Sequence, residues 1–262
     1  MENNQNPLVG YFRKPEVYVG LPSRGNYYKP GILDLPPNGE IGIYPMTARD
    51  ELVLKTPDAL LNGASTVEVI NSCVPAINDA WEIPSVDMDA LLIGIRIATY
   101  GESMDITAKC PECMTENTLA IKLPGVLDKL ASHEPQKSMT SGELTFNMRP
   151  LTYQEFTDFS RESFQYEKQL VQLESAEMSD EEKTKQRQNI FDARAKLNVK
   201  VILRHIATVS AGEQTETNIQ EIEKFILDND TEFFTSIEKS VSQINDAWSV
   251  PKYDVQCGGT DC

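Results

Sequence analysis

Histidine is nearly absent from this sequence, and the short motifs that mark many enzyme families are missing. The 262 residues include 2 histidines, His133 and His205, and neither lies beside a serine or cysteine in a nucleophile motif. No glycine-rich dinucleotide motif and no phosphate-binding loop occurs. Acidic residues are so frequent that a catalytic carboxylate pair would not stand out among them. We therefore expect that the chain is not an enzyme. A metal-dependent enzyme is the alternative, which the scarcity of histidine disfavours.

Long apolar runs are also missing. No stretch of about 18 or more apolar residues occurs, so we expect no membrane span. The first residues, MENNQNPLVGYFRKPEV, are polar and lack the basic start and apolar centre of a signal peptide. We expect synthesis in a cytoplasm and no contact with a membrane.

Positive charge is scarce. The sequence has 24 basic and 40 acidic residues, which gives a formal net charge of -16. Proteins that bind nucleic acid directly carry a basic surface, so we expect no nucleic-acid partner. The acidic charge has two interpretations: it keeps the protein soluble, or it forms a face that docks on a basic partner. Composition alone does not separate them.

The few cysteines present are unevenly placed. Cys110 and Cys113 form one close pair, Cys257 and Cys262 form another, and Cys73 lies in an apolar helical segment that is typical of a core. Two cysteine turns on extended backbone are typical of a zinc ribbon, in which four thiolates hold one tetrahedral zinc ion. We expect one structural zinc per chain. Disulfides, free thiols and an iron–sulfur cluster remain as alternatives.

Periodicity and turn residues predict an α+β fold with an N-terminal β-hairpin arm, a mixed α/β domain that carries a zinc-ribbon-like site of four cysteines, and a C-terminal helical region. The expected boundaries are an arm and hairpin over 1–45, a mixed domain over 46–150, a helical region over 151–250, and a C-terminal strand with the second cysteine pair over 251–262. Such an arm is commonly a flexible tail. This one also contains aromatic residues that would suit packing against another chain: Tyr11, Phe12, Tyr18, Tyr27 and Tyr28.

Several elements are predicted within these limits. A hairpin is expected from strands at 32–35 and 40–44 around the turn Pro36–Gly39, and a strand pair at 104–108 and 118–123 flanks the first cysteine turn. Further predictions are a helix over 64–74, a strongly apolar helix over 86–100 and a strand over 143–148. Helices over 152–174 and 179–205 should form an antiparallel pair, with a seam containing Leu170, Leu173, Phe191, Ala195, Leu197 and Val201. Two more helices should begin near 217 and 231.

Two stretches of the N-terminal half carry a resemblance. PMTARDELVLKTPDALLNGASTVEVINSCVP (45–75) and ALLIGIRIATYGESMDITAKCPEC (90–113) resemble the T4-like bacteriophage baseplate family, whose members are hub subunits or hub assembly proteins. LPSRGNYY (21–28) and GEIGIYPMTARDE (39–51) are similar to the N-terminal region of that family. The resemblance covers about residues 20–125, as a run of matched residues and not as one short motif.

The resemblance implies a non-catalytic structural component in the hub region of a contractile phage tail baseplate. Such a protein would be made in the infected bacterium, would contact other baseplate or tail hub proteins in a symmetric assembly, and would reside in the virion. A hub assembly chaperone, absent from the finished particle, is the alternative within the same family. A cytosolic zinc-ribbon adaptor in transcription is a third interpretation, and the acidic charge argues against DNA contact there.

Overall fold

The structure is a computed structural model and describes residues 11–56, 62–132, 137–247, 249–250, 252, 256–259 and 262. Within these residues the chain has a mixed α/β fold with eight α-helices and three small antiparallel sheets. None of the described helices is both long enough and apolar enough to cross a membrane.

The helices differ widely in length. In chain order they are α1 Ala48–Leu54, α2 Ala64–Cys73, α3 Ser85–Tyr100, α4 Leu123–Ser132, α5 Tyr153–Ser175, α6 Asp180–Arg204, α7 Ile219–Leu227 and α8 Thr231–Ala247. The predicted helices at 64–74, 86–100, 152–174 and 179–205 are confirmed to within one residue at each end. Helix α4 is an element that the sequence prediction missed.

The strands form three separate sheets. They are β1 Val17–Gly20, β2 Glu40–Ile43, β3 Ser103–Lys109, β4 Glu116–Lys122, β5 Ser138–Ser141, β6 Leu144–Met148, β7 Ile206–Ala211 and β8 Gln214–Glu216. Strand β1 pairs with β2, β3 pairs with β4, and β5 to β8 form one sheet in that order.

The predicted hairpin between 32–35 and 40–44 is wrong. Strand β2 pairs instead with β1, and Leu33 forms an isolated bridge with Ile77. The turn itself is present, since the Gly39 N–H donates to the Pro36 carbonyl at 2.9 Å. The pairing with β1 wins because it places the apolar side chains of both strands on one face, where Val19, Ile41 and Ile43 are buried.

Helix α3 lies behind this strand pair and forms the centre of the N-terminal core. Its apolar side chains recur at helical spacing, and Leu91 and Ile95 are buried. Gly94 faces the sheet so closely that an added Cβ would lie 2.9 Å from side-chain atoms of Ile43 and Val19. The absence of a side chain at this position lets the helix backbone approach the strands.

The C-terminal half is not purely helical, which corrects the prediction of a C-terminal helical region. Strands β7 and β8 lie between α6 and α7, and β7 joins β6 of the preceding segment with Phe146 opposite Val209. The apolar faces of α7 and α8 cover this sheet, and Phe146, Ile222 and Ile237 belong to one buried cluster. Strand β7 was missed because it follows a long helical pattern directly, and the three residues of β8 are all exposed.

Helices α5 and α6 form the predicted antiparallel pair, and each helix starts with a capping box. Thr152 and Glu155 cap α5, and Ser179 and Glu182 cap α6. The predicted seam is only partly correct. Leu173 and Leu197 are buried, whereas Phe191 and Ala195 are exposed.

Candidate metal centre

The first cysteine turn lies at the tip of the β3–β4 hairpin. The hairpin register runs from Ser103 opposite Lys122 to Lys109 opposite Glu116, so residues 110–115 form the connection. The Cys110 N–H donates to the Thr115 carbonyl at 2.9 Å, and the Met114 N–H donates to the Cys110 carbonyl at 2.9 Å. Met114 has a φ of 59°. This left-handed residue closes the turn so that both cysteine side chains reach the same space.

The second cysteine pair reaches the same place from the other end of the chain. The Sγ atom of Cys257 lies 3.5 Å from that of Cys113, and the Sγ atom of Cys262 lies 3.6 Å from that of Cys110. All four sulfur atoms lie within 4.8 Å of one another. Zinc–sulfur bonds of about 2.3 Å define a tetrahedron with edges of about 3.8 Å, so this spacing suits a metal bound at the centre.

Asn117 joins the two turns through hydrogen bonds that involve no metal. Its Oδ1 accepts from the Gly258 N–H at 2.8 Å, and its Nδ2 donates to the Thr115 carbonyl at 2.9 Å. The same Nδ2 lies 3.7 Å from Cys257 Sγ. Asn117 therefore fixes the C-terminal turn on the hairpin and also directs a donor at one of the sulfur atoms.

The glycines of the C-terminal turn permit this close approach. A Cβ on Gly259 would lie 2.9 Å from Thr115 Oγ1, 3.2 Å from Cys113 Sγ and 3.3 Å from Cys257 Sγ. The Gly259 N–H also donates to Cys257 Sγ at 3.3 Å. This hydrogen bond fixes the Cys257 sulfur atom against the backbone of its own turn.

The surroundings of the sulfur atoms shift their acidity in opposite directions. Hydrogen bonds from the side chain and backbone of Thr115 lower the pKa of Cys113 to about 6. Backbone N–H groups, with that of Cys113 first, lower the pKa of Cys110. The neighbouring sulfur atoms, with Cys110 first, raise the pKa of Cys262 to about 12. Some thiols thus ionise readily, whereas Cys262 keeps its proton mainly through hydrogen bonds to the neighbouring sulfur atoms. Binding of a metal ion would displace that proton.

The donor set fits a metal ion. All four cysteines carry free thiols, and sulfur is the ligand that zinc takes in closed four-coordinate sites. Cys73 takes no part in the cluster: it is fully buried in α2, as predicted for a core residue. The four cysteines that the sequence singled out are thus brought together, and they could hold a metal ion.

The aromatic residues of the arm divide into two groups. Tyr11, Phe12 and Tyr18 are exposed over 86%, 64% and 60% of their surface. Tyr27 and Tyr28 are half-buried, and the Tyr28 hydroxyl donates to the Asp87 carboxylate at 2.9 Å. Only the first three are fully presented for contact with another chain.

Arg13 holds the start of the described chain against the N-terminal core. Its guanidinium donates to the Pro45 carbonyl at 2.7 Å and to the Ser72 carbonyl at 2.6 Å. It also lies 3.7 Å from the buried carboxylate of Asp50. Tyr11 and Phe12, with their exposed rings, therefore directly precede a residue that is held in place, Arg13.

Two polar residues of evident importance were not found from the sequence. Asn117 stands four residues after Cys113 in a strand, where an asparagine carries no motif signal. Asp87 is fully buried within α3 and accepts hydrogen bonds from Ser23 and Tyr28. Acidic residues are also common in the first turn of exposed helices, so the sequence gives no sign that Asp87 is buried.

His205 is the one histidine among the residues that the structure describes. His205 is buried at the end of α6, and its Nδ1 lies 2.9 Å from the Val201 carbonyl. Burial lowers its pKa, so the ring is neutral near physiological pH. His133 lies outside the described residues.

Comparison with known proteins identifies the family. No curated protein and no solved structure matches this chain. The family described as T4 bacteriophage base plate protein matches residues 30–260. This match extends well beyond the resemblance at residues 20–125. It includes the α5–α6 pair, the sheet of strands β5 to β8 and three of the four clustered cysteines. The chain belongs to the T4 bacteriophage base plate protein family.

Proposed function

We propose that this protein is a non-catalytic structural component in the hub region of a contractile phage tail baseplate. Family membership over residues 30–260 is the observation that carries the proposal. The protein would be made in the cytoplasm of the host bacterium and built into the virion beside other baseplate proteins. The exposed aromatic rings of Tyr11, Phe12 and Tyr18 support a role in contact with such neighbours.

Within this role the four clustered cysteines bind one structural zinc ion. Cys113 and Cys257 stand 144 positions apart, so the metal would link the C-terminus to the hairpin of the N-terminal half. Four thiolates complete the tetrahedron and leave no position for an activated water, which suits a structural site and not a catalytic one. A cytoplasm that keeps thiols reduced favours metal binding over disulfides.

The zinc proposal is tested by elemental analysis of the purified protein. We expect about one zinc per chain in the native protein and none in a Cys110→Ser/Cys113→Ser variant. Well-folded native protein without metal would refute the site, and iron in place of zinc would refute the assignment of the metal.

The structural role is tested by quantitative mass spectrometry of purified phage particles, with a known baseplate protein as the internal reference. A fixed ratio to that reference is expected for a built-in part. Abundance in the infected lysate together with absence from the particles would overturn the structural role and favour an assembly chaperone.

A further inference from the structure

The outer parts of helices α5 and α6 bury few apolar side chains within the chain. Between Asp158 and Val201, a stretch that the structure describes completely, only Leu173 and Leu197 are buried. Most helices in proteins depend on tertiary packing of an apolar face for their stability. A hairpin of this length with so small a seam is therefore expected to gain stability from a further contact.

One side of the hairpin offers an unused apolar stripe. Phe156, Phe164 and Val171 of α5 are 50%, 58% and 72% exposed. At about 100° per residue the three positions fall within about 80° of one another, so they share one face of the helix. On α6, Phe191 is 47% exposed. Isolated exposed apolar residues are ordinary, but an aligned set along a long helix is typical of a helix–helix interface.

The charges of the two helices are complementary. Helix α5 carries five acidic and two basic residues, a net charge of -3, whereas α6 carries four acidic and seven basic residues, a net charge of +3. The pair is neutral, so the net charge of -16 arises entirely outside these two helices. The complementarity already acts within one hairpin, where Arg194 lies 3.6 Å from Glu167 and Arg187 lies 3.9 Å from Glu174.

This pattern selects a second copy of the same chain as the partner. Two hairpins related by a twofold axis can place α5 of one copy against α6 of the other, which matches opposite charges and stacks the apolar stripes. Outside these two helices the chain carries a net charge of -16, so contact elsewhere would on balance bring acidic regions together. With a screening length of about 8 Å at physiological salt, the acidic bodies interact little when contact is confined to the hairpins.

The available area is that of a small interface. Beyond the buried Thr157 the hairpin is about 27 Å long and about 20 Å wide, which gives a face of about 500 Å² per copy. Interfaces below about 1,200 Å² in total are typical of weak, reversible association. We propose that the α5–α6 hairpin is a self-association surface, through which two copies of this protein form a four-helix bundle.

The test uses the full-length protein and measures its mass in solution by light scattering and sedimentation over a concentration series. We expect twice the mass of one chain for the native protein. A Phe164→Glu/Val171→Glu variant should have the mass of one chain over most of the series, with dimer affinity weakened at least about 100-fold because two interface side chains become charged.

Two controls make the outcome decisive. Leu52→Glu introduces one glutamate at another exposed apolar position, with 67% exposure, on α1 and should leave the dimer intact. Circular dichroism should show unchanged helix content in all variants. If the double variant loses helix content, Lys196→Glu on the exposed side of α6 replaces it, and we expect at least about 3-fold weaker association from the lost charge match.

The proposal is overturned by a native protein that has the mass of one chain at every concentration. It is also overturned by a folded Phe164→Glu/Val171→Glu variant that dimerises as well as the native protein. Neither result depends on whether the protein is retained in the virion or binds zinc.

Discussion

At the scale of single residues, Asn117 shows how an uncharged side chain can support a cysteine cluster that could hold a metal ion. Its amide holds the Gly258 backbone and directs a donor at Cys257 Sγ, and these two contacts orient one ligand turn relative to the other. Partners of metal ligands commonly contribute a factor of about 10 to 100 in metal affinity.

Replacement of Asn117 by alanine should therefore weaken zinc binding by about 10-fold or more, while the helix content and the unfolding of the core stay close to native values. Competition with a chromogenic chelator measures the affinity. Thr118→Ala is the matched control, since its hydroxyl contacts Thr107 across the same hairpin and not the sulfur atoms. Equal zinc affinity of Asn117→Ala and the native protein would show that the amide does not support the site.

Asp87 is a second residue whose role follows from its surroundings. Burial raises the pKa of this carboxyl to about 6, although hydrogen bonds from Ser23 and Tyr28 act in the opposite direction. The folded state thus binds the proton more tightly than the unfolded state. The contribution of this group to stability is complete at low pH and is lost as pH rises through about 6.

The pH dependence can be isolated with Asp87→Asn, which keeps the shape and cannot ionise. On lowering the pH from about 7 to about 4.5, the native protein should gain about 2 kcal/mol relative to the variant. Urea unfolding of both proteins across this range measures the difference, in which the titration of the remaining groups largely cancels. A difference that is constant with pH would contradict a buried carboxyl with a raised pKa.

At the scale of elements, the contact between α3 and the β1–β2 sheet depends on Gly94. A methyl group there would press on Ile43 and Val19, which are both buried. Overpacking of a dense core costs about 1–3 kcal/mol, whereas the exchange of glycine for alanine in a helix gains about 1 kcal/mol.

Gly94→Ala should accordingly destabilise the protein by up to about 2 kcal/mol, as measured by urea unfolding. Gly125 of α4 provides the matched control, because an added Cβ there meets no atom within 4 Å. Gly125→Ala should stabilise the protein by about 0.5–1 kcal/mol through helix propensity alone. Stabilisation by both substitutions would mean that α3 has room to move away from the sheet.

At the scale of the whole molecule, the cysteine cluster links residues from opposite halves of the chain. The entropy of loop closure rises only slowly with loop length, so the long intervening segment is little obstacle to the link. The loss of one sulfur atom should therefore loosen the attachment of the C-terminal segment.

Cys257→Ser should release that segment and accelerate proteolysis after Tyr253, because one ligand of the metal is lost. Limited proteolysis with mass spectrometry of the fragments measures the rate. A chelator should accelerate the cleavage of the native protein but not that of Cys257→Ser. Unchanged digestion of the variant would count against a metal link.

The sequence alone determined those features that depend on local patterns. Helical periodicity located α5 and α6, because the spacing of apolar residues on one helix face is visible within a few turns of sequence. The cysteine spacings singled out Cys110, Cys113, Cys257 and Cys262, because two closely spaced cysteine pairs are characteristic of sites that bind zinc. The resemblance over residues 20–125 predicted the baseplate family, which the match over 30–260 confirmed.

The long-range pairings depend on tertiary packing. Strand β2 pairs with β1 and not with its sequence neighbour, and β6 pairs with β7 across the entire α5–α6 hairpin, because the choice depends on which pairing buries a shared apolar face. The roles of Asn117 and Asp87 could not be predicted either, because both depend on hydrogen-bond partners more than 50 positions away in the sequence. Interactions between neighbouring residues can be predicted from the sequence. Interactions between distant segments form only when the folded core brings those segments together.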